Sequence, residues 1–188
     1  MKRCAAVVML LGLALGCKSH AQASEGMLSE KEVDSLRDSA FEPLERIKAY
    51  EKILGTREKE VSDLMAGPKH VSFGEDMHDA LDQFGQIADE LNDNLDEYSK
   101  AHRDVRKELP KLVQAIERWS TVLRSPPEND HYKIVRRIAL DALKDMRDTV
   151  VQMESEQEAY FKLHPEAAKE EKTRRENPHA PNSGEEPH

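Results

Sequence analysis

The sequence predicts an all-α fold, an elongated, antiparallel, coiled-coil-like bundle of three helices. Three observations carry this. Met77, Leu81, Phe84, Ala88, Leu91, Leu95, Tyr98, His102, Val105, Leu109, Leu112, Ile116, Trp119 and Leu123 follow one another at alternating spacings of four and three, and only His102 interrupts the apolar row. That is the a/d seam of an amphipathic helix, about 70 Å long at ~1.5 Å per residue. A neighbouring row, Ala80, Ile87, Asn94, Ala101, Glu108, Ala115 and Val122, is apolar at all but Asn94 and Glu108. Two adjacent rows make a face wide enough for two neighbours, which favours a bundle over a two-stranded rod. Finally, charged residues make up 35% of the chain and aromatics only 5%, a composition suited to long solvated helices.

Residues 1–23 read as an export signal: Lys2 and Arg3 form a basic start, Ala5 to Gly16 an apolar run, and Ala21-Gln22-Ala23 a small-x-small cleavage site. The apolar run is too short for the ~20 residues that span a bilayer. A second reading of the same stretch stays open. Leu13-Ala14-Leu15-Gly16-Cys17 resembles the lipobox of bacterial lipoproteins, in which the cysteine is lipidated and becomes the new N-terminus. It departs from that pattern at Ala14, where leucine is usual. Both readings imply export, to the periplasm or beyond, or to a membrane through a lipid anchor on Cys17.

Ser24 to Leu28 is a polar joint, and Ser29 with Glu32 forms a capping box. The first helix is expected over 29–66, with Pro43 kinking it or splitting off a short first piece. Gly67-Pro68 ends it. The central helix follows over 75–125, with Ser72 and Glu75 as its cap. The heptad register runs straight through Pro110, so Pro110 is expected to kink this helix rather than end it. Ser125-Pro126-Pro127-Glu128-Asn129 is the second reversal, and the last helix covers 130–164. The bundle thus spans 24–165 and resembles spectrin-type three-helix units in shape, with no shared sequence motif. From Glu166 to His188 no apolar side chain exceeds alanine, and this tail is expected to be disordered.

The formal charge is −9, and removal of the first 23 residues with their three cations deepens it to −12. Such a surface argues against nucleic acid and against anionic lipid as general partners. Both cysteines, Cys4 and Cys17, lie in the N-terminal stretch, so the body has no thiol for a disulfide, a metal or a nucleophile.

The strongest charge feature lies between Glu75 and Glu97, where nine acids occur without a Lys or Arg. Asp76, Asp79, Asp82, Asp89, Glu90, Asp93, Asp96 and Glu97 are the candidate contact face for a basic partner, or a weak divalent-cation site; a solvated outer face is the plainer account. His102, at an a position, is expected to be buried and hydrogen-bonded to a neighbouring helix. Glu128 and His131 have the Glu-x-x-His spacing of di-iron bundles but lack the second pair, and His78 with Asp82 lies one turn apart on an outward face. Arg124, Tyr132, Lys133, Arg136 and Arg137 form a small basic group near the second reversal. Trp119 belongs to the seam.

No phosphate loop, nucleophile elbow, haem-attachment cysteine or zinc spacing occurs, and no cofactor is implied. The expected function is therefore that of an exported, non-enzymatic structural or interaction protein of the bacterial cell envelope. Its partner would be an envelope protein or another macromolecule; the alternative is a metal- or cofactor-binding bundle. Mass spectrometry of the mature N-terminus separates the two processing routes: a chain starting at Ser24 follows cleavage after Ala23, whereas a diacylglyceryl-modified Cys17 marks a lipoprotein that Cys17→Ala releases from membranes.

Overall fold

The computed structural model describes residues 27–176, and within them every regular element is a helix. These are α1 (Glu30–Asp38), α2 (Pro43–Ala66), α3 (Phe73–Lys100), α4 (Leu109–Arg124), α5 (Lys133–Leu163) and α6 (Pro165–Glu176). The export segment, Cys17 and the tail beyond Glu176 lie outside the described residues.

The ends of α1 and α2 follow from local chemistry. The Ser29 hydroxyl accepts from the Glu32 amide while the Glu32 carboxylate takes the Ser29 amide at 2.7 Å, so the expected capping box is present. The break between α1 and α2 puts Pro43 at the first position of α2, where its missing N–H leaves no bond unmade. Of the two outcomes expected at Pro43, the chain adopts the split. The Ser72 cap of the central helix is not formed: its hydroxyl donates to the Asp76 carboxylate at 2.9 Å instead.

The principal correction concerns the central helix, which is two helices folded back on each other. Phe84 of α3 meets Trp119 of α4 edge to face, with ring centroids 5.8 Å apart. In one continuous helix those residues would lie about 50 Å apart at ~1.5 Å per residue. Pro110 therefore does not kink a helix; it sits in the first turn of α4, where proline fits. The expected three-helix rod is replaced by four long helices, α2 to α5, with α1 and α6 as short additions. Helix α2 packs on α3 and α4, and α5 packs on the other side of both, so consecutive α3 and α4 occupy opposite corners. Contacts of Gly74 with His131 and of Gly85 with Ala139 show that α3 and α5 run parallel. The bundle is about as long as α3, ~42 Å, rather than ~70 Å.

The reversal over 101–108 has a specific construction. Arg103 N–H donates to the Tyr98 carbonyl at 2.9 Å and His102 N–H to that of Ser99 at 3.1 Å, with His102 in the left-handed region at φ 49°. This is a Schellman ending with histidine where glycine is usual. Val105 is then fully buried, and Gln157 of α5, itself 4% exposed, holds the turn at two points. Its side-chain carbonyl accepts from Val105 N–H at 3.1 Å and its amide donates to the Arg103 carbonyl at 2.9 Å.

The seam residues of α3 and α4 face the common core from opposite corners. Met77, Leu81, Phe84, Leu91, Leu95, Leu109, Leu112, Trp119 and Leu123 have essentially no exposed surface, and they meet Leu143, Met146 and Val150 of α5. At full burial each large apolar side chain contributes about 1.5–3 kcal/mol relative to exposure. Between α2 and α3 the packing is partly polar. Tyr50 donates to Glu90 at 2.6 Å, Arg46 to Asn94 at 2.9 Å and to the Leu36 carbonyl at 2.7 Å.

The tail also departs from expectation: residues 165–176 form α6, held by ion pairs rather than by apolar burial. Gln157→Leu leaves the buried Val105 N–H without its acceptor, at about 1–3 kcal/mol, and the part-buried Arg103 carbonyl without its donor, at about 1 kcal/mol, so a loss of about 2–4 kcal/mol is expected. Calorimetry should show the thermal midpoint falling by roughly 4–16 °C for a chain of this size. Gln152→Leu, on the exposed side of α5, should change it little.

Candidate interaction surface

Residues of the predicted acidic face divide between structural duty and free surface. Glu90 is committed inward, accepting the Tyr50 hydroxyl at 2.6 Å. That bond and the burial of the ring drive the Tyr50 phenol far above its usual range, with burial the larger cause. Asp76 is tied to the α2–α3 connection by His70 Nε2 at 2.6 Å and Ser72 at 2.9 Å. The contact with His70 holds the Asp76 carboxyl below the usual range and raises the His70 imidazole in return.

The other acids point outward. Asp79, Asp89, Asp93, Asp96 and Glu97 are exposed, and Asp82 is half-buried. With Glu75 and Gln86 they form a stripe in which positions 75, 79, 82, 86, 89, 93 and 96 again alternate by four and three, turned away from the apolar seam. Asp82 accepts from Gln86 at 2.7 Å and Asp79 contacts His78 at 3.2 Å. Among the described residues, Asp82, Asp89, Asp93, Asp96 and Glu97 have no Lys or Arg within ion-pair distance. Elsewhere on the surface, Asp34, Glu45, Asp63, Asp130 and Asp148 each hold a cation three or four residues away.

Because α5 lies parallel beside α3, it brings one further acid, Asp145, that the sequence did not place there. The Asp89 carboxyl is raised by partial burial, then by Asp93 on its own helix and by Asp145 of α5. Burial and neighbouring like charges both disfavour the ionised form. The sequence carried the stripe on α3 but not the proximity of Asp145, which depends on the parallel packing.

The remaining candidates fall out differently from their expected roles. His102 is not buried in the seam: it is exposed at the reversal and stacks face to face on Tyr160, centroids 3.9 Å apart. Its a-position spacing loses its meaning where the helix ends. Glu128 pairs with Arg136, and His131 packs against Gly74. His78 contacts Asp79 rather than sharing an ion with Asp82. No group of three metal-ligating side chains converges among the described residues. In the basic group, Lys133 pairs with Asp130, Arg136 also reaches the Pro126 carbonyl, and buried Tyr132 donates to that of Pro127 at 2.8 Å. These close the α4–α5 connection. Trp119 is fully buried, as its place in the seam implies. No helix among the described residues is long and apolar enough to cross a membrane.

A second acidic group, at the α2–α4 contact, showed in the sequence only as the interruption of the second apolar row by Glu108. Glu108 at the start of α4 is 1% exposed, with Lys111 Nζ at 2.8 Å and Lys48 Nζ at 3.9 Å. The Glu51 carboxyl is pushed up by burial and next by Glu108, against Lys111, Arg118 and Lys48. One oxygen of each carboxylate has no hydrogen-bond partner. A carboxyl raised on folding adds stability that is complete below its unfolded value and is lost as pH climbs through the folded one. Glu51→Gln, which cannot ionise, should therefore raise the thermal midpoint at pH 7 and leave it nearly unchanged at pH 4; calorimetry at the two pH values checks this. No known protein family, curated protein or solved structure matches the chain.

Proposed function

We propose that this is an exported, non-enzymatic interaction protein of the bacterial cell envelope, an adaptor or chaperone-like binder whose contact surface is the acidic stripe of α3. The observation that carries the reading is the set of carboxylates on Asp82, Asp89, Asp93, Asp96 and Glu97, aligned on one helix face without a Lys or Arg partner among the described residues. A folded surface normally intersperses its signs, as the paired acids of α1, α2 and α5 do here. A single-signed stripe on a rigid bundle raises the local concentration of a basic partner and speeds its encounter, an effect that fades as salt screens it. The envelope assignment rests on the N-terminal basic start, apolar run and small-x-small site.

The partner is accordingly a protein or peptide with a basic face, held by many weak contacts rather than in a closed pocket. Changing Asp82, Asp89, Asp93 and Asp96 together to asparagine should leave the helical signal and thermal midpoint near those of the parent, because none supports the core. Crosslinking capture from the native envelope fraction should then recover less of the basic partner, with a larger deficit at 20 mM than at 300 mM salt. Equal recovery by parent and variant at both salt concentrations would remove the stripe as the contact surface.

A further inference from the structure

Helix α6 joins the body by charge. Its twelve residues include four acids and four bases, after the exposed Pro165 it has no apolar side chain larger than alanine, and its sole buried residue is Glu171, at 5% exposure. Glu171 Oε1 accepts from Arg103 Nε at 2.6 Å and Oε2 from Arg174 at 2.8 Å. One turn on, Arg175 lies 3.7 Å from Asp104, whose carboxyl is kept below the usual range by Arg106 and then Arg175, although its burial opposes this. Arg103 also reaches the Phe41 carbonyl at 3.4 Å, so α6, the α1–α2 corner and the α3–α4 reversal meet at one end of the bundle. A single residue, His164, separates α6 from α5.

A helix this short is marginal in water without tertiary contacts. Here those contacts are a buried carboxylate on an arginine and a looser pair one turn away. Removing one member of a buried pair leaves an uncompensated charge, so α6 should leave the surface and melt together. The receiving surface, by contrast, is fixed independently of α6. Gln157 and the Schellman ending hold the backbone at Arg103 and Val105, the Arg103 side chain also reaches the Phe41 carbonyl, and Asp104 is braced by Nε and one Nη of Arg106, each at 2.9 Å.

We propose that α6 is a displaceable internal ligand, and that Arg103 with Asp104 forms a docking surface for a short helix carrying glutamate and, four residues on, arginine. A partner helix with this Glu-x-x-x-Arg pattern competes with α6 for the surface. This inference is independent of the acidic stripe on α3.

The test uses the full chain and a labelled peptide with the sequence of residues 165–176. In Glu171→Gln, amide exchange over 168–176 should accelerate at least ~10-fold, as expected for a locally opened segment, while the seam amides of α3 and α5 keep their rates. The peptide should bind this variant at least ~10-fold more tightly than the parent, whose own α6 competes at high effective concentration. A peptide with glutamine in place of its Glu171 equivalent should bind neither protein. Should Glu171→Gln perturb the whole bundle, Arg175→Gln and a salt titration of the parent provide the same exchange measurement. Unchanged exchange over 168–176 in these variants and at high salt would overturn the proposal, as would equal binding of the glutamate and glutamine peptides.

Discussion

The structure depends on one constraint: the chain between Lys100 and Leu109 must turn back across the end of the bundle without abandoning its polar backbone groups. Intrahelical bonds end at Lys100, and a buried carbonyl or amide left there would cost as much as a lost hydrogen bond. The Schellman pair uses the last carbonyls of α3, with His102 accepting the left-handed backbone. Gln157 then supplies both a donor and an acceptor to the irregular stretch that follows. With that turn fixed, Phe84 and Trp119 can meet at the core, α4 can pack on α2 and α5, and Pro110 can begin a helix. The same turn presents Arg103 and Asp104 to α6.

Polar side chains serve two opposed purposes in this bundle. Inside, Arg46, Tyr50, Glu90 and Asn94 form a connected group between α2 and α3, and Arg57, 6% exposed, joins α2 to α1 through Glu32 at 3.1 Å and the Met27 carbonyl at 2.7 Å. Such groups fix which helix faces which, because a shifted register would leave them unpaired. Outside, several acids are paired with cations a turn away, whereas Asp82, Asp89, Asp93, Asp96 and Glu97 of α3 have no Lys or Arg within ion-pair distance, and Asp145 of α5 lies close enough to raise the Asp89 carboxyl. An imbalance of this kind contributes little to stability and costs some through self-repulsion.

Stability is unevenly placed along the chain. The seam of α3, α4 and α5 is dry and densely apolar, while α6 contributes a single buried residue, and that residue is charged. Helices that dock without apolar burial occupy the low end of the local stability scale, and opening them does not require opening the core. The α3–α4 reversal thus couples a rigid part of the molecule to a loosely held one through Arg103.

The sequence by itself determined the helical character, the apolar faces, the Ser29 capping box, the break at Pro43 and the acidic stripe. Each of these is written in residues no more than a few turns apart, because helix period, capping and face polarity are local properties. It misdirected the reading at Pro110 because α3 and α4 point at the same core, so their seams stay in phase across a fold-back. His102 occupied an a position by that continuity alone. Only the tertiary structure decided that the central run is two helices, that Asp145 lies near Asp89, that the charge of buried Glu108 bears on Glu51, and that Glu171 gives α6 a place on the body. These depend on partners tens of residues apart, Gln157 with Val105 and Arg103 with Glu171 among them, and no spacing rule connects such pairs before the helices have packed.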